Sequence, residues 1–600
     1  SGTSYDITIR QQPVSQTCTV NEGEGTLSAT TTVVVTCSSE SYTVSGTVVG
    51  LYSGQSVTLQ NNSGDDLTVS DNTSFSFTTK VAQGATYLVT VKTQPTAQTC
   101  TPNLNSGVVS DNVSDVSIIC SYTVYTVSGS VSGLSGTLVL QNNYGSDQTL
   151  TSDGSFSFEV ASSAKYNVRA KTQPNGKCVV SNGTGTTSAD VDNVSVGCWV
   201  LVDGGGSSAG VNKNSTYRAD NVSLHSFDNN SNLYASWSEV SQYGSISQIR
   251  VKEYDNSSWS AIDGDSNNGI NLIKSRNATN PSMTDNGTHL FAVWSEDDGS
   301  GKGLIRTAVY DNTTRSWDFQ NNNYQALNYS TSRSANNPQL LNDNSSLYAI
   351  WSENNGTANQ IRVKLFDNST SWNLVDKIGD NTTGINKDTS KNALNPKLLN
   401  FNSEIYAAWS ETDSTASQIR VARYNNSSSW TFVDGNASTG LNKTTGKNAT
   451  DPSMAVLSTK LYLAWSETNA DNRTQIRVKS YDGSNWSFVD GGNATKGINK
   501  DYTQNASYPQ LVKVTDNSSS SKLYAVWLEE NGSTQVRVAE FDGTSSWSFK
   551  DGNSFDGLNL NTAKITGKPS AVAHLYNLIV AWSETNSLGV PQIRVAKSPF

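Results

Sequence analysis

Fourteen tryptophans, every one at or beyond residue 199, fall into two series that constrain this 600-residue chain more than any bulk property does. One series closes the motif read as LYASWSE, LFAVWSE, LYAIWSE, IYAAWSE, LYLAWSE, LYAVWLE and LIVAWSE, at Trp237, Trp294, Trp351, Trp409, Trp465, Trp527 and Trp582. The other lies further along each repeat, before a short apolar run and an Asp, at Trp259, Trp317, Trp372, Trp430, Trp486 and Trp547. The seventh member of that second series is Trp199, in CWVLVDGG, which precedes the first repeat instead of following the last. Repeats of this length, each holding short alternating apolar segments separated by turn residues, are sheet units that bury their faces on one another. An all-β chain is therefore expected, with residues 199–600 forming a seven-bladed β-propeller. A P-x-L/M segment, LYAAWSE, QIRVKxYD and WxFVDG supply the four strands of each blade. The last repeat stops after its third strand, so Trp199, Val200, Leu201, Val202 and Asp203 are expected to supply the fourth and close the ring without an open sheet edge.

The residues before this array form a second one. Residues 42–120 and 125–198 share YTVSGTVVGL with YTVSGSVSGL, VTLQNN with LVLQNN, SFSF with SFSF, and YLVTVKTQP with YNVRAKTQP. Each ends in a cysteine pair, and residues 5–37 match only the second half of such a module. The six cysteines pair locally as Cys18–Cys37, Cys100–Cys120 and Cys178–Cys198, and three matched pairs with no remainder indicate disulfides in an oxidising compartment. The expected organisation is a partial module over 1–40, modules over 41–121 and 122–198, and the propeller over 199–600. The modules resemble the immunoglobulin-like repeats of bacterial surface proteins and adhesins, which implies β-sandwich stalks. Half a sandwich leaves an apolar face and unpaired edges. Three accounts of it stay open: a fragment or processed form, strands donated by another subunit, or packing on its own neighbour.

Composition narrows the function classes. A net charge of −11 with 16% charged residues gives no basic surface for nucleic acid. No apolar run is long enough to span a membrane, and Ser1 follows no charged and apolar leader, as expected of a mature secreted chain. His225, His289 and His574 stand at non-equivalent places with no metal-ligand spacing, and neither a GxSxG elbow nor a P-loop occurs. The segment Asp263, Gly264, Asp265, Ser266, Asn267, Asn268, Gly269 is a weak match to a Ca²⁺ loop, its glycine one place late. No cofactor is expected.

Two charged residues recur in every blade. The glutamates are Glu239, Glu296, Glu353, Glu411, Glu467, Glu529 and Glu584, and the arginines Arg250, Arg306, Arg362, Arg420, Arg477, Arg537 and Arg594. Adjacent antiparallel strands would bring each Glu to its Arg, either as a structural ring or as seven equivalent sugar pockets with Trp as a stacking face. DGSNW and DGTSSW are partly similar to the Asp-box turn of sialidases, where that turn is an element of the fold. A recurring G-I/L-N-K segment, at Gly210–Lys213, Gly384–Lys387, Gly440–Lys443 and Gly497–Lys500, reads as either a decorated loop or a clasp between blades. Sequons at Asn72, Asn112, Asn193, Asn256, Asn286, Asn312, Asn355, Asn368, Asn436, Asn493 and Asn531 are candidate glycosylation sites.

These features lead to the expectation of a non-enzymatic extracellular or cell-surface protein working in adhesion or in assembly of a fibre or matrix. Its partners would be copies of itself or other surface proteins. The alternative is a multivalent carbohydrate-binding propeller, and a weaker one a glycan-processing enzyme.

Overall fold

A computed structural model describes residues 2–600 apart from 15, 97, 175, 205–209, 228–230, 241–245, 265–267, 320–325, 344–345, 367–370, 377–382, 414, 426–428, 436–439, 553–556 and 562–565. The described residues form strands and turns, and no helix among them is long and apolar enough to cross a membrane. The chain divides into two compact units. One comprises Ser1–Gly129, Ser157–Asn167 and Thr184–Asn193, and the other Ser130–Phe156, Val168–Gly183 and Val194–Phe600.

In the first unit, the strands Gln16–Asn21 and Val34–Ser39 pair antiparallel and carry the Cys18–Cys37 disulfide. Val34 and Val35 remain half exposed on this two-stranded ribbon, as a half-module implies. Residues 41–122 make two four-stranded sheets around one core that includes Val44, Leu59, Phe75, Val89 and Ile118. Not every pairing is antiparallel. Val113–Tyr122 runs parallel to Val44–Val49, and a Cβ at Gly46 would stand 1.9 Å from the carbonyl oxygen of Val116, so the glycine of the VSGTV motif permits that approach. Cys100–Cys120 bonds directly across the neighbouring ladder, as Cys178–Cys198 does in the second unit.

The second unit contains six consecutive four-stranded antiparallel sheets. Their first strands are Ala219–Phe227, Ala278–Asp285, Ala335–Asn342, Ala393–Phe401, Ala449–Leu457 and Ala506–Thr515. A seventh sheet has Ser570–His574, Asn577–Thr585 and Pro591–Lys597, and its outer neighbour is Val191–Leu201, pairing Val200 with Lys597 and Leu201 with Ala596. The first strand of each sheet packs on that of the next, and Ser570–His574 packs on Ala219–Phe227. Tryptophans of the second series stitch the outer strands together. The indole of Trp259 donates to Val202 O, Trp317 to Ile262 O, Trp430 to Val375 O, Trp486 to Val433 O and Trp547 to Val489 O, at 2.7–3.0 Å. Trp199 makes the same bond to Lys550 O at 3.0 Å, taking the place its sequence position implies.

Tryptophans of the first series are fully buried, each removing up to about 5 kcal/mol worth of apolar surface from water. Each indole N–H donates to the glutamate two residues on, at 2.7–3.0 Å. The glutamates also accept two successive backbone N–H groups from the loop entering their own sheet, as Glu467 does from Lys443 and Thr444. Glu239, Glu296, Glu353, Glu411, Glu529 and Glu584 repeat the pattern.

The expected Glu–Arg pairing is thereby corrected. A buried carboxylate that already receives three N–H donors has little need of a guanidinium. Arg250, Arg362, Arg420, Arg477, Arg537 and Arg594 pair instead with the Asp of the WxFVDG segment: Asp263, Asp376, Asp434, Asp490, Asp551 and Asp203, at 2.8–3.3 Å. Arg306 stands 4.0 Å from Glu296, and Arg537 lies 3.9 Å from Glu529 besides its aspartate. Asp263, the first residue of the suggested Ca²⁺ loop, is thus held by Arg250, while residues 265–267 lie outside the described residues.

The G-I/L-N-K segment is a clasp. Its Asn accepts the backbone N–H of the Ile in the QIR motif of the preceding sheet and returns its amide to the loop. Asn212 bonds Ile593, Asn386 bonds Ile361, Asn442 bonds Ile419 and Asn499 bonds Ile476. Asn271, Asn328 and Asn559 do the same, although their sequences had not shown the motif. A Cβ at Gly210, Gly384, Gly440 or Gly497 would lie 2.1–2.4 Å from a carbonyl oxygen of that same strand, which explains the glycine. Asn271 is fully buried and holds Ile249 N at 2.8 Å, Ser247 O at 3.1 Å and Arg276 O at 2.7 Å. Asn271→Ala leaves a buried N–H and two carbonyls without these bonds and is expected to cost about 2–4 kcal/mol. Urea denaturation measures it, and a loss under about 0.5 kcal/mol would remove the clasp from the forces holding adjacent sheets.

Candidate functional site

Seven near-identical sheets offer seven near-identical surfaces, whereas a single site needs a place where the repeat breaks. That place is the first strand. In each of the first six sheets the register against the second strand slips at the residue before proline or its equivalent, so two residues stand opposite the buried tryptophan. The leading residue has positive φ: Asn221, Asn280, Asn337, Asn395, Asp451 and Tyr508, all between 52° and 56°. Asn and Asp accept this left-handed conformation readily, but a tyrosine does not, and Tyr508 carries strain of order 1 kcal/mol or more. In the seventh sheet the isolated bridge between Thr566 and Glu584 places Lys568 at the same position.

Side chains from this ring surround one small cavity of about 120 Å³. Its lining includes Asn221, Asn280, Asn337, Asn395, Lys397 and Lys568. The amides form a one-way chain. Asn280 Nδ2 donates to Asn337 Oδ1 at 3.1 Å, Asn337 to Asn395 at 2.7 Å, and Asn395 to the carboxylate of Asp451 at 2.9 Å. Lys397 stands one step deeper, where the other sheets have Ser223, Ser282, Gln339, Ser453, Gln510 and Ser570. Four of them accept a backbone N–H from a neighbouring sheet: Ser453 from Leu511 at 2.9 Å, Ser570 from Leu224 at 3.0 Å, Gln339 from Leu398 at 2.7 Å and Ser282 from Leu340 at 3.5 Å. An ammonium cannot accept. Lys397 therefore gives up a bond between sheets and brings a charge to the ring.

Desolvation, then repulsion from Lys568, lowers the Lys397 amine to about 7. Desolvation also lowers Lys568, against the pull of Asp451, and raises Asp451. Lys568 lies 5.7 Å from the ring centre of Tyr508, which keeps 37% of its surface open. Among the described residues, neither lysine has an ion pair within 4 Å. The sequence patterns hid these four residues because they flank the proline of a segment taken only as a strand. The readable signal was the loss of Asn before Pro452, Pro509 and Pro569 and the Lys after Pro396.

Residues singled out from the sequence sit elsewhere. Two members of the Glu and Arg series line clefts between loop and sheet, Glu584 with Arg594 in one of about 320 Å³ and Glu353 with Arg362 in one of about 250 Å³. Their acids are already clasped, and burial raises Glu239, Glu411 and Glu529, offset by the tryptophan and backbone donors. The second of these clefts has a feature of its own, Tyr329, whose ring lies 4.4 Å from the Arg362 guanidinium. The histidines do not converge on a metal. His225 meets Asp285 at 2.8 Å, His574 bridges Ser226 and Asn256, and His289 caps its own turn. Among the described residues no group of three or more His, Cys, Asp or Glu is placed to hold a metal ion.

Of the sequons, Asn72 and Asn256 spend their amide nitrogen on Leu51 O and Ser231 O, bonds a glycan would displace. Asn112 accepts from Thr43, and the carbonyls of Asn286, Asn355 and Asn493 close their own turns. Asn193, Asn312 and Asn531 are also described, and Asn368 and Asn436 lie outside the described residues.

No family model and no curated protein matches the sequence. Among solved structures, the chain is similar to the polysaccharide lyase Uly1, at 9% identity over 63% of this chain and 89% of that one with a TM-score of 0.42. It is also similar to the sialidase of Trypanosoma rangeli, at 10% identity over 64% and 55% with a TM-score of 0.36. The α-L-arabinanase of Penicillium chrysogenum follows at 12% identity, covering 53% and 92%, with a TM-score of 0.32. These similar structures are glycan-active enzymes. The expectation of an adhesion or fibre-forming protein is corrected on that finding, and similarity this low carries neither an activity nor a residue role to this chain.

Lys397 allows a pH test. Its folded value near 7 lies below the ordinary 10.5, so the folded state holds fewer protons between those values and stability rises with pH across that window. Below pH 7 the cost of the buried charge is full. Lys397→Gln is therefore expected to raise the melting temperature at pH 6 and to lose that advantage by pH 10.5, as scanning calorimetry would show; an advantage independent of pH would refute the assignment.

Proposed function

We propose that this chain is a secreted glycan-active protein in which a seven-bladed β-propeller, closed by the strand at Trp199 and joined to immunoglobulin-like modules, takes carbohydrate at its axial ring. The three disulfides fit an oxidising, extracellular setting. One observation carries the reading: in an otherwise sevenfold repeat, Lys397 and Lys568 line one cavity beside a run of amide side chains that ends on Asp451, with Tyr508 beside Lys568. Amides and hydroxyls are the groups that answer sugar hydroxyls, and the partly exposed ring of Tyr508 suits the apolar face of a pyranose. The peripheral clefts lack this quality because their polar atoms serve the clasp.

A panel of soluble polysaccharides, followed by affinity electrophoresis for binding and by chain-length analysis for cleavage, tests the reading. At least one polysaccharide is expected to bind, with Tyr508→Ala and Asn337→Ala each weakening it about tenfold or more, a loss of ~1.4 kcal/mol or above. Arg333→Ala, on the rim of the Tyr329 cleft, is expected to leave binding unchanged. Binding abolished by Arg333→Ala and untouched at the axial ring would move the site to the clefts and sink the proposal.

A further inference from the structure

Charge at the axial ring names the class of sugar. We infer that the ring is an anion site and that its ligand is an acidic glycan, one carrying carboxylate or sulfate groups, held by Lys397 and Lys568. This inference rests on the glycan reading for the sugar and on the geometry alone for the anion.

Two lysines from different sheets line one cavity of about 120 Å³. Lys397 is half-buried and Lys568 is open to the solvent of the cavity, so a ligand can reach both. Among the described residues the carboxylate facing them is Asp451, whose Oδ1 accepts from Asn395 at 2.9 Å and Oδ2 from Thr450 at 2.9 Å. With Lys397 protonated, as it is below about pH 7, two ammonium groups face one carboxylate and the ring carries an excess of one positive charge, although the whole chain carries −11. Desolvation lowers both amines and repulsion from Lys568 lowers Lys397 further, and an arriving anion relieves that repulsion. The flanking amides add N–H donors, and a carboxylate or sulfate accepts from several donors at once. The Lys568 ammonium lies 5.7 Å from the centre of the Tyr508 ring, so an acidic substituent held at Lys568 would stand beside that ring.

Calorimetric titration of the full chain decides the matter with four probes: an oligogalacturonate, its methyl ester, a carrageenan oligosaccharide as a sulfated sugar without carboxylate, and inorganic sulfate. An acidic sugar is expected to bind at least tenfold more tightly than the uncharged ester, and the two acidic sugars tell carboxylate from sulfate recognition. Lys397→Gln and Lys568→Gln are each expected to erase the preference, with melting temperatures equal to or above that of the parent, which separates lost binding from lost folding. Equal affinity for acid and ester, or a preference that survives both substitutions, would overturn the inference. If no sugar binds but inorganic sulfate does, and the lysine variants abolish it, the anion site stands and the glycan reading fails. Absence of all binding, sulfate included, ends both.

Discussion

A buried carboxylate governs the architecture of the seven-sheet unit. Each glutamate of the WSE motif lies out of water, which is costly unless every lone pair finds a donor. The indole two residues back supplies one, and two N–H groups of the entering loop supply the others. Because the donors come from the loop, satisfying the acid fixes the path by which the chain arrives from the previous sheet. The clasp asparagine then ties that loop to the sheet it has left. One local demand for hydrogen bonds thus becomes a link between neighbours, repeated around the unit.

The outer strands are joined by a different device of the same kind. The indoles of Trp259, Trp317, Trp430, Trp486 and Trp547 each span from one outer strand to a carbonyl of the one before. Trp199 obeys this rule from the far end of the sequence, so the chain's two distant segments meet through the same bond as adjacent repeats do. With sheets so constrained, functional variation is confined to positions outside these bonds. The bulge at the first strand is such a position. It sets two residues opposite the buried tryptophan, the second buried and the first the one that varies from sheet to sheet.

Much of this was legible before any coordinates. Period and motif implied all-β sheets, the strand segments and the displaced outer strand, because alternating burial and Trp spacing are written residue by residue. Cysteine pairing was legible for the same reason, each pair being local. Partner choice was not. Glu and Arg looked like natural partners, lying on adjacent strands, yet the carboxylate turned to backbone donors and the guanidinium to the Asp after the second tryptophan. Hydrogen-bond satisfaction depends on which groups share a buried space, and a linear motif does not record that.

The sequence by itself determined the repeat, the strands, the disulfides and the chain segment lying beside Pro591–Lys597, since each follows from local pattern or from counting. Only the tertiary structure decided where the repeat matters for function. Lys397, Asp451, Tyr508 and Lys568 come from four sheets and are spread over more than 170 residues of sequence. They are brought near one another because each first strand packs on the next, which sets Lys397 and Lys568 at one cavity, Asp451 at the end of its amide chain and Tyr508 beside Lys568. Repeats spaced along the sequence thus meet in space, where a few departures from the motif become neighbours.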